Sequence, residues 1–164
     1  MAKQSAGILL YRQSARGLEV LLAHPGGPFW AKKDRGVWSI PKGEFTDEDA
    51  LTAAKREFLE ECGQTPPTGD YYELGSVKMS SGKVIYAWAV LGDFNVDELH
   101  SNTFSMEWPP KSGEQQEFPE IDTVRWLPIL KAYDKLLPSQ TPFLDRLADH
   151  LGVETKPPEQ ASLF

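Results

Sequence analysis

Three glutamates, Glu57, Glu60 and Glu61, stand at i, i+3 and i+4. On a helix that spacing puts their carboxylates on one face, a turn apart. Like charges so placed repel by roughly a few tenths of a kcal/mol per pair, so a helix selected only for stability would intersperse lysine. Hard divalent cations such as Mg²⁺ take oxygen ligands and bridge carboxylates to substrate phosphates, which gives the cluster a chemical reason. The plainer reading of three acids alone is a solvated helix face. Glu44, Asp47, Glu48 and Asp49 precede or open the same segment, where they suit a helix dipole without any chemistry.

The element that must carry these acids is a helix over residues 47–62, with Leu51, Ala54, Phe58 and Cys62 recurring at helical spacing and Ala50 and Leu59 beside them. Thr46 is the expected N-cap, Asp49 three residues on completes a capping-box variant, and Gly63 is the expected left-handed terminator. The acid stripe then borders the apolar face, at the edge of a core.

Around the helix, 6–11 and 18–23 read as buried strands separated by the polar stretch 13–17. The break at 25–28 leads into a loop with Lys32, Lys33 and Arg35, and 37–40 reads as a short strand closed by Pro41. Residues 72–79 and 84–91 form an expected hairpin through 80–83, and 95–118 an expected long polar loop. A last strand over 122–127 precedes helices over 129–137 and 142–151, then a loose tail over 153–164. With no internal repeat, the expectation is one domain over 5–152, of α+β class, a mixed sheet with helices on its faces.

At 164 residues, with 40% apolar and 25% charged residues, the composition is that of a soluble globular domain. No apolar run approaches the roughly 20 residues that cross a bilayer, and the run 7–10 is too short for a signal-peptide core. The lone Cys62 forms neither an internal disulfide nor a metal cluster, and a cytoplasmic setting is expected. A net charge of −7 with no basic stripe disfavours a long nucleic-acid partner. A small phosphorylated ligand is compatible with it, because a bound cation and a few local basic groups can meet its charge.

The string 41–63 narrows the reading. Pro41-Lys42-Gly43-Glu44-Phe45-Thr46-Asp47-Glu48 leads to Arg56-Glu57-Phe58-Leu59-Glu60-Glu61-Cys62-Gly63, and Trp38-Ser39-Ile40 precedes it. This closely resembles the Nudix box: a Gly, a Glu, then Arg-Glu-apolar-x-Glu-Glu-x-Gly. Two positions depart from it. Gly43 and Glu48 are separated by four residues where the family has five, so either the loop lacks one residue and Glu48 keeps its place, or Asp49 takes that place; the first alternative preserves the gap to Arg56. The final position, aliphatic in the family, is Gln64.

The resemblance implies an α/β/α sandwich and a pyrophosphohydrolase using Mg²⁺ or Mn²⁺ and a metal-activated water. It implies metal ligation by Glu57, Glu60 and Glu61 with the Lys42 carbonyl, and a bracing role for Arg56 through Glu48. Glu60 and Glu120 are the candidates for the general base; Glu120 precedes Trp126 by six residues, a spacing similar to that of the extra metal-binding Glu of dinucleoside polyphosphate hydrolases, although an acid at the start of a strand explains it as simply. Lys32, Lys33, Arg35 and Lys42 are candidate phosphate contacts. Trp30, Trp108, Tyr86 and Phe104 are rings able to stack on a base, although core or loop packing explains each as simply. The substrate class implied is a nucleotide-type pyrophosphate, with nucleoside triphosphates or dinucleoside polyphosphates favoured. The alternative is an inactive Nudix-fold nucleotide sensor. Degenerate members usually lose the helix acids, which this chain keeps. His24, His100 and His150 are scattered and lack metal-ligand spacing; no role is assigned to them, nor to oligomeric state.

Overall fold

The computed structural model describes residues 3–155. The N-terminal apolar run forms β1 (Gln4–Ser14), whose interior is buried on both faces, as an uninterrupted apolar strand requires. One edge of β1 pairs in parallel with β5 (Val84–Leu91), from Gln4 opposite Val84 to Tyr11 opposite Leu91. The other edge is divided. Its C-terminal part pairs antiparallel with β2 (Gly17–Pro25), and its N-terminal part with the short β3 (Lys42–Phe45), which sets Gly43 opposite Ala6. β4 (Tyr72–Lys78) pairs with β5 and β8 (Ile121–Pro128) with β2, giving the order β4-β5-β1-β2-β8 with β3 off β1.

This mixed sheet is covered on both faces. β1 alternates: Ala6, Ile8 and Leu10 face α1 (Ala50–Cys62), where they meet Ala53, Ala54, Phe58 and Cys62, while Leu9 joins the opposite core. That opposite core is closed by α2 (Ile129–Lys135) and α3 (Thr141–Leu151) through Ala132, Leu136, Phe143, Leu144 and Leu147. The result is the α+β sandwich expected, and among the described residues no helix is long and apolar enough to cross a membrane.

Four expectations are corrected. Residues 37–40 are no strand. Where β2 diverges from β1, Ser39 exchanges two hydrogen bonds with Ala23, and Trp38 bridges to Leu136 of the helical layer. The segment is a seam between layers, and Pro41, with no N–H, cannot extend it as a ladder. The helix starts at Ala50 with Asp49 as N-cap, its carboxylate accepting from the Thr52 N–H at 3.1 Å, and Thr46 does not cap. Asp47 lies in the left-handed region (φ 48°), which a helix cannot propagate through. The stretch 95–118 is not structureless: after a 3₁₀ turn (Val96–Glu98), β6 (Thr103–Glu107) and β7 (Gln115–Pro119) pair as a separate two-stranded ribbon. α2 stops at Lys135, two residues early, and a 3₁₀ turn (Pro138–Gln140) links it to α3. Of the expected tail, Val153 packs against the core, and 156–164 lie outside the described residues.

Candidate active site

α1 presents its acids unequally. Glu57 falls within the buried stripe, at 8% exposure, because i−4 and i+1 neighbours Ala53 and Phe58 are both core residues. Its carboxylate lies against the backbone of Gly43 in β3, so closely that a Cβ on Gly43 would stand 1.9 Å from Glu57 Oε2. Any side chain at position 43 would therefore displace the Glu57 carboxylate.

Arg56 is the hub of the acids. Its guanidinium donates to Glu48 at 2.6 Å, to Glu57 at 2.9 Å and to Glu60 at 3.1 Å. Glu48 reaches it because the left-handed Asp47 turns the shortened loop; Asp49 is occupied in capping the helix. Of the two alternatives for the shortened loop, the geometry has Glu48 against Arg56. The Glu48 hydrogen bond holds the arginine firmly protonated, and in return Arg56 lowers the Glu48 carboxyl below its ordinary range. Burial raises the Glu57 carboxyl even with Arg56 beside it.

Glu61 has no arginine. Burial, then the charges of Glu120 and Glu57, push its carboxyl up to about 7, with Lys42 opposing and Glu60 adding to the rise. Glu120, distant in sequence, is thus brought to the α1 acids by the fold. Burial, followed by the neighbouring charge of Lys83, lowers the Lys42 ammonium, against the pull of Glu61, Glu44 and Glu57. Lys83 lies in the β4–β5 turn with its ammonium 3.5 Å from Glu44. The sequence signalled only that turn, and nothing in it linked Lys83 to the acids.

Hydrogen bonds tie Glu120 to the helix end. The Glu60 carbonyl accepts from Asn102 at 3.1 Å, the Asn102 carbonyl from Glu120 at 2.7 Å, and the Glu120 carbonyl from Gly26 at 2.9 Å. His100 N–H caps Cys62, and Gly63 closes the helix in the left-handed region (φ 76°). Gln64, unlike the aliphatic residue of the resembling pattern, donates to the carbonyls of Asn95 and Glu98 and so ties the helix end to the following 3₁₀ turn. Cys62 is a core thiol, pushed up to about 12 by burial.

Of the loop cations, Lys32 and Lys33 are exposed, whereas Arg35 pairs with Asp134 of α2 at 2.6 Å. His24, given no role from sequence, holds this loop. Its ring lies 2.8 Å from Asp122 and 2.7 Å from the Lys33 carbonyl.

The donor set suits a hard divalent ion: carboxylate oxygens from Glu57, Glu60, Glu61 and Glu120, with Glu61 driven toward neutrality by burial first and by the neighbouring acids second. Among the described residues, no three His, Cys, Asp or Glu side chains already converge as a ready-made cage, and Arg56 holds part of the set.

The NUDIX domain family matches the chain over residues 1–147. Among solved structures, the C. elegans Ap4A hydrolase binary complex aligns with a TM-score of 0.65 at 21% identity, over 92% of this chain and 98% of that one. The NUDIX domain of Shewanella oneidensis NrtR, complexed with ADP ribose, gives 0.63 at 17% identity, over 92% and 89%. The MutT protein from Methanosarcina mazei Go1 gives 0.58 at 20%, over 92% and 95%. These likenesses speak for the fold alone. No protein of curated function matches the sequence. With the family pattern covering most of the chain, and its glutamates and arginine meeting on one helix beside Gly43, the chain belongs to the Nudix hydrolase family.

Proposed function

We propose that this chain hydrolyses the pyrophosphate link of a nucleoside diphosphate joined to another group, using Mg²⁺ or Mn²⁺. Nucleoside triphosphates or dinucleoside polyphosphates are the favoured class. The observation that carries the reading is the unequal treatment of the acids: Arg56 braces Glu48, Glu57 and Glu60, while Glu61 faces Glu120 with no arginine to neutralise it. A partly buried carboxylate facing a second one, with only Lys42 opposing, is costly in a resting protein and is relieved by a cation.

A divalent ion bound there supplies charge neutralisation at the phosphate oxygens and acidity to the attacking water. The chain's residues do the rest. Glu57, Glu60 and Glu61 hold the ion, with the Lys42 carbonyl as a further ligand, and Arg56 fixes the carboxylates. Glu60 or Glu120 takes the proton of the water as its oxygen bonds to phosphorus and the bridging oxygen departs. Lys42, Lys32 and Lys33 meet the phosphates. Residues 5–152 serve as the single catalytic domain. The fold shared with proteins crystallised with ADP ribose or named for Ap4A supports a small nucleotide as partner.

The test is a mass-spectrometric screen of the purified protein against nucleoside triphosphates, dinucleoside polyphosphates, nucleotide sugars and ADP-ribose, with Mg²⁺ or with chelator. Metal-dependent cleavage of the first two classes is expected, and the products identify the bond broken. No turnover of any compound, with thermal stabilisation by one of them, would replace the enzyme by a nucleotide-sensing module.

A further inference from the structure

We propose that Phe29, Trp30 and Trp108 form a stacking subsite for the nucleobase of the substrate. The proposal rests on the pyrophosphohydrolase reading and extends it to the part of the substrate remote from the cleaved bond. The loop carrying Phe29 and Trp30 is firmly anchored. Gly26 donates to the Glu120 carbonyl at 2.9 Å, Gly36 to the Asp134 carbonyl at 3.1 Å, and His24 meets the Lys33 carbonyl at 2.7 Å. Its large rings are nevertheless left in solvent: Phe29 is 62% exposed and Trp30 38%. Core packing therefore explains neither of them.

Phe29 meets Trp108 edge to face, with centroids 6.0 Å apart. Trp108 belongs to the connection between β6 and β7, so the rings come from two separate elements. Both elements reach Glu120. The loop joins Glu120 through Gly26, and β7 runs directly into Glu120 through Pro119. Phe29 and Trp30 stand only three and four residues from Gly26, at most about 14 Å of chain. A ligand with its pyrophosphate at the acids can thus lay a ring against them. Lys33 places its ammonium 5.1 Å from the Trp30 ring centre, so the ring carries a cation able to meet an anionic group of a ligand laid against it. Stacking on such rings tolerates any base, because every base offers a π-face. The subsite should therefore demand a base without selecting strongly among bases.

The test is calorimetric titration of the full chain with Mg²⁺ and either ADP or methylenediphosphonate, a ring-free probe with the same charged head. Wild type should bind ADP more tightly than methylenediphosphonate. Phe29→Ala/Trp30→Ala should lose about tenfold or more of ADP affinity and keep its affinity for the ring-free probe, with Trp30→Phe retaining most ADP affinity. Unchanged ADP binding in the double variant, or equal affinity of wild type for the two probes, overturns the subsite. Neither compound needs to be turned over, so a protein that binds ADP through these rings and cleaves nothing would retain the subsite while losing the enzymatic reading.

Discussion

Arg56 meets three carboxylates while Glu61 has no arginine and only the charge of Lys42 opposing its neighbours, and that contrast sets what single substitutions should do. Glu60→Gln/Glu61→Gln removes two proposed ligands outside the packed apolar stripe of α1, so turnover should vanish with circular dichroism unchanged; wild-type rates in the folded double variant would refute the metal-site assignment. Gly43→Ala drives a methyl to 1.9 Å from Glu57 Oε2. The atom in the way is the far end of a side chain, so the fold should survive while the carboxylate is displaced. A loss of roughly 10–100-fold in metal affinity or activity is expected, and a variant as active as wild type would show that Glu57 need not lie there. Glu61 gives a pH dependence of known sign. Its carboxyl is raised from 4.5 to about 7 in the folded chain, so the native state prefers it neutral. Its stabilising contribution is complete below about pH 4.5 and lost as pH rises through 7. Scanning calorimetry of the metal-free protein should show Glu61→Gln gaining Tm relative to wild type across that interval, and Mg²⁺ should narrow the gap. A difference that is flat with pH would contradict the burial of the Glu61 carboxyl among its acidic neighbours.

At the scale of the element, α1 is held by local and distant groups together. Asp49 caps its first turn through the Thr52 N–H, so Asp49→Ala should cost about 1 kcal/mol in chemical denaturation, and no loss would mean that the capping bond is not made. The helix was legible in sequence because its information is local: Phe58 and Cys62 mark the buried face, Gly63 the stop, and Glu57, Glu60 and Glu61 the acid face. Its first residue is less legible, because Thr46 and Asp49 are both cap-forming residues and only the left-handed turn at Asp47 decides between them. The pairing of Glu48 with Arg56 was anticipated, eight residues apart on one loop and helix. The closeness of Lys83 to Lys42 depends on register between strands, and spacing cannot encode it. The β6–β7 ribbon escaped for a different reason. Phe104, Met106 and Phe118 are only half-buried among polar neighbours, so its alternation is faint, and such two-stranded pieces draw their stability from what they lean on. The strand expected at 37–40 failed because its apolar residues serve two layers at once. Trp38 and Ile40 belong to the core beneath α2 and α3, while Ser39 bonds to β2.

For the whole molecule, the sheet ends at β4, and its outer carbonyls are not left open. Arg146 of α3 donates to Leu74 at 3.0 Å and to Ser76 at 2.8 Å, occupying acceptors that another strand would otherwise find. Arg146→Ala should therefore raise concentration-dependent association, measured by light scattering; identical mass profiles for variant and parent would show that this edge needs no guard. The chain of hydrogen bonds from the Glu60 carbonyl through Asn102 and Glu120 to Gly26 has a consequence for timing. Each amide in it is closed by the carbonyl of the residue before, so the links come apart most readily together. In hydrogen–deuterium exchange, Asn102, Glu120 and Gly26 should behave as one clock. A ligand that slows the helix end would then slow the aromatic loop without touching it.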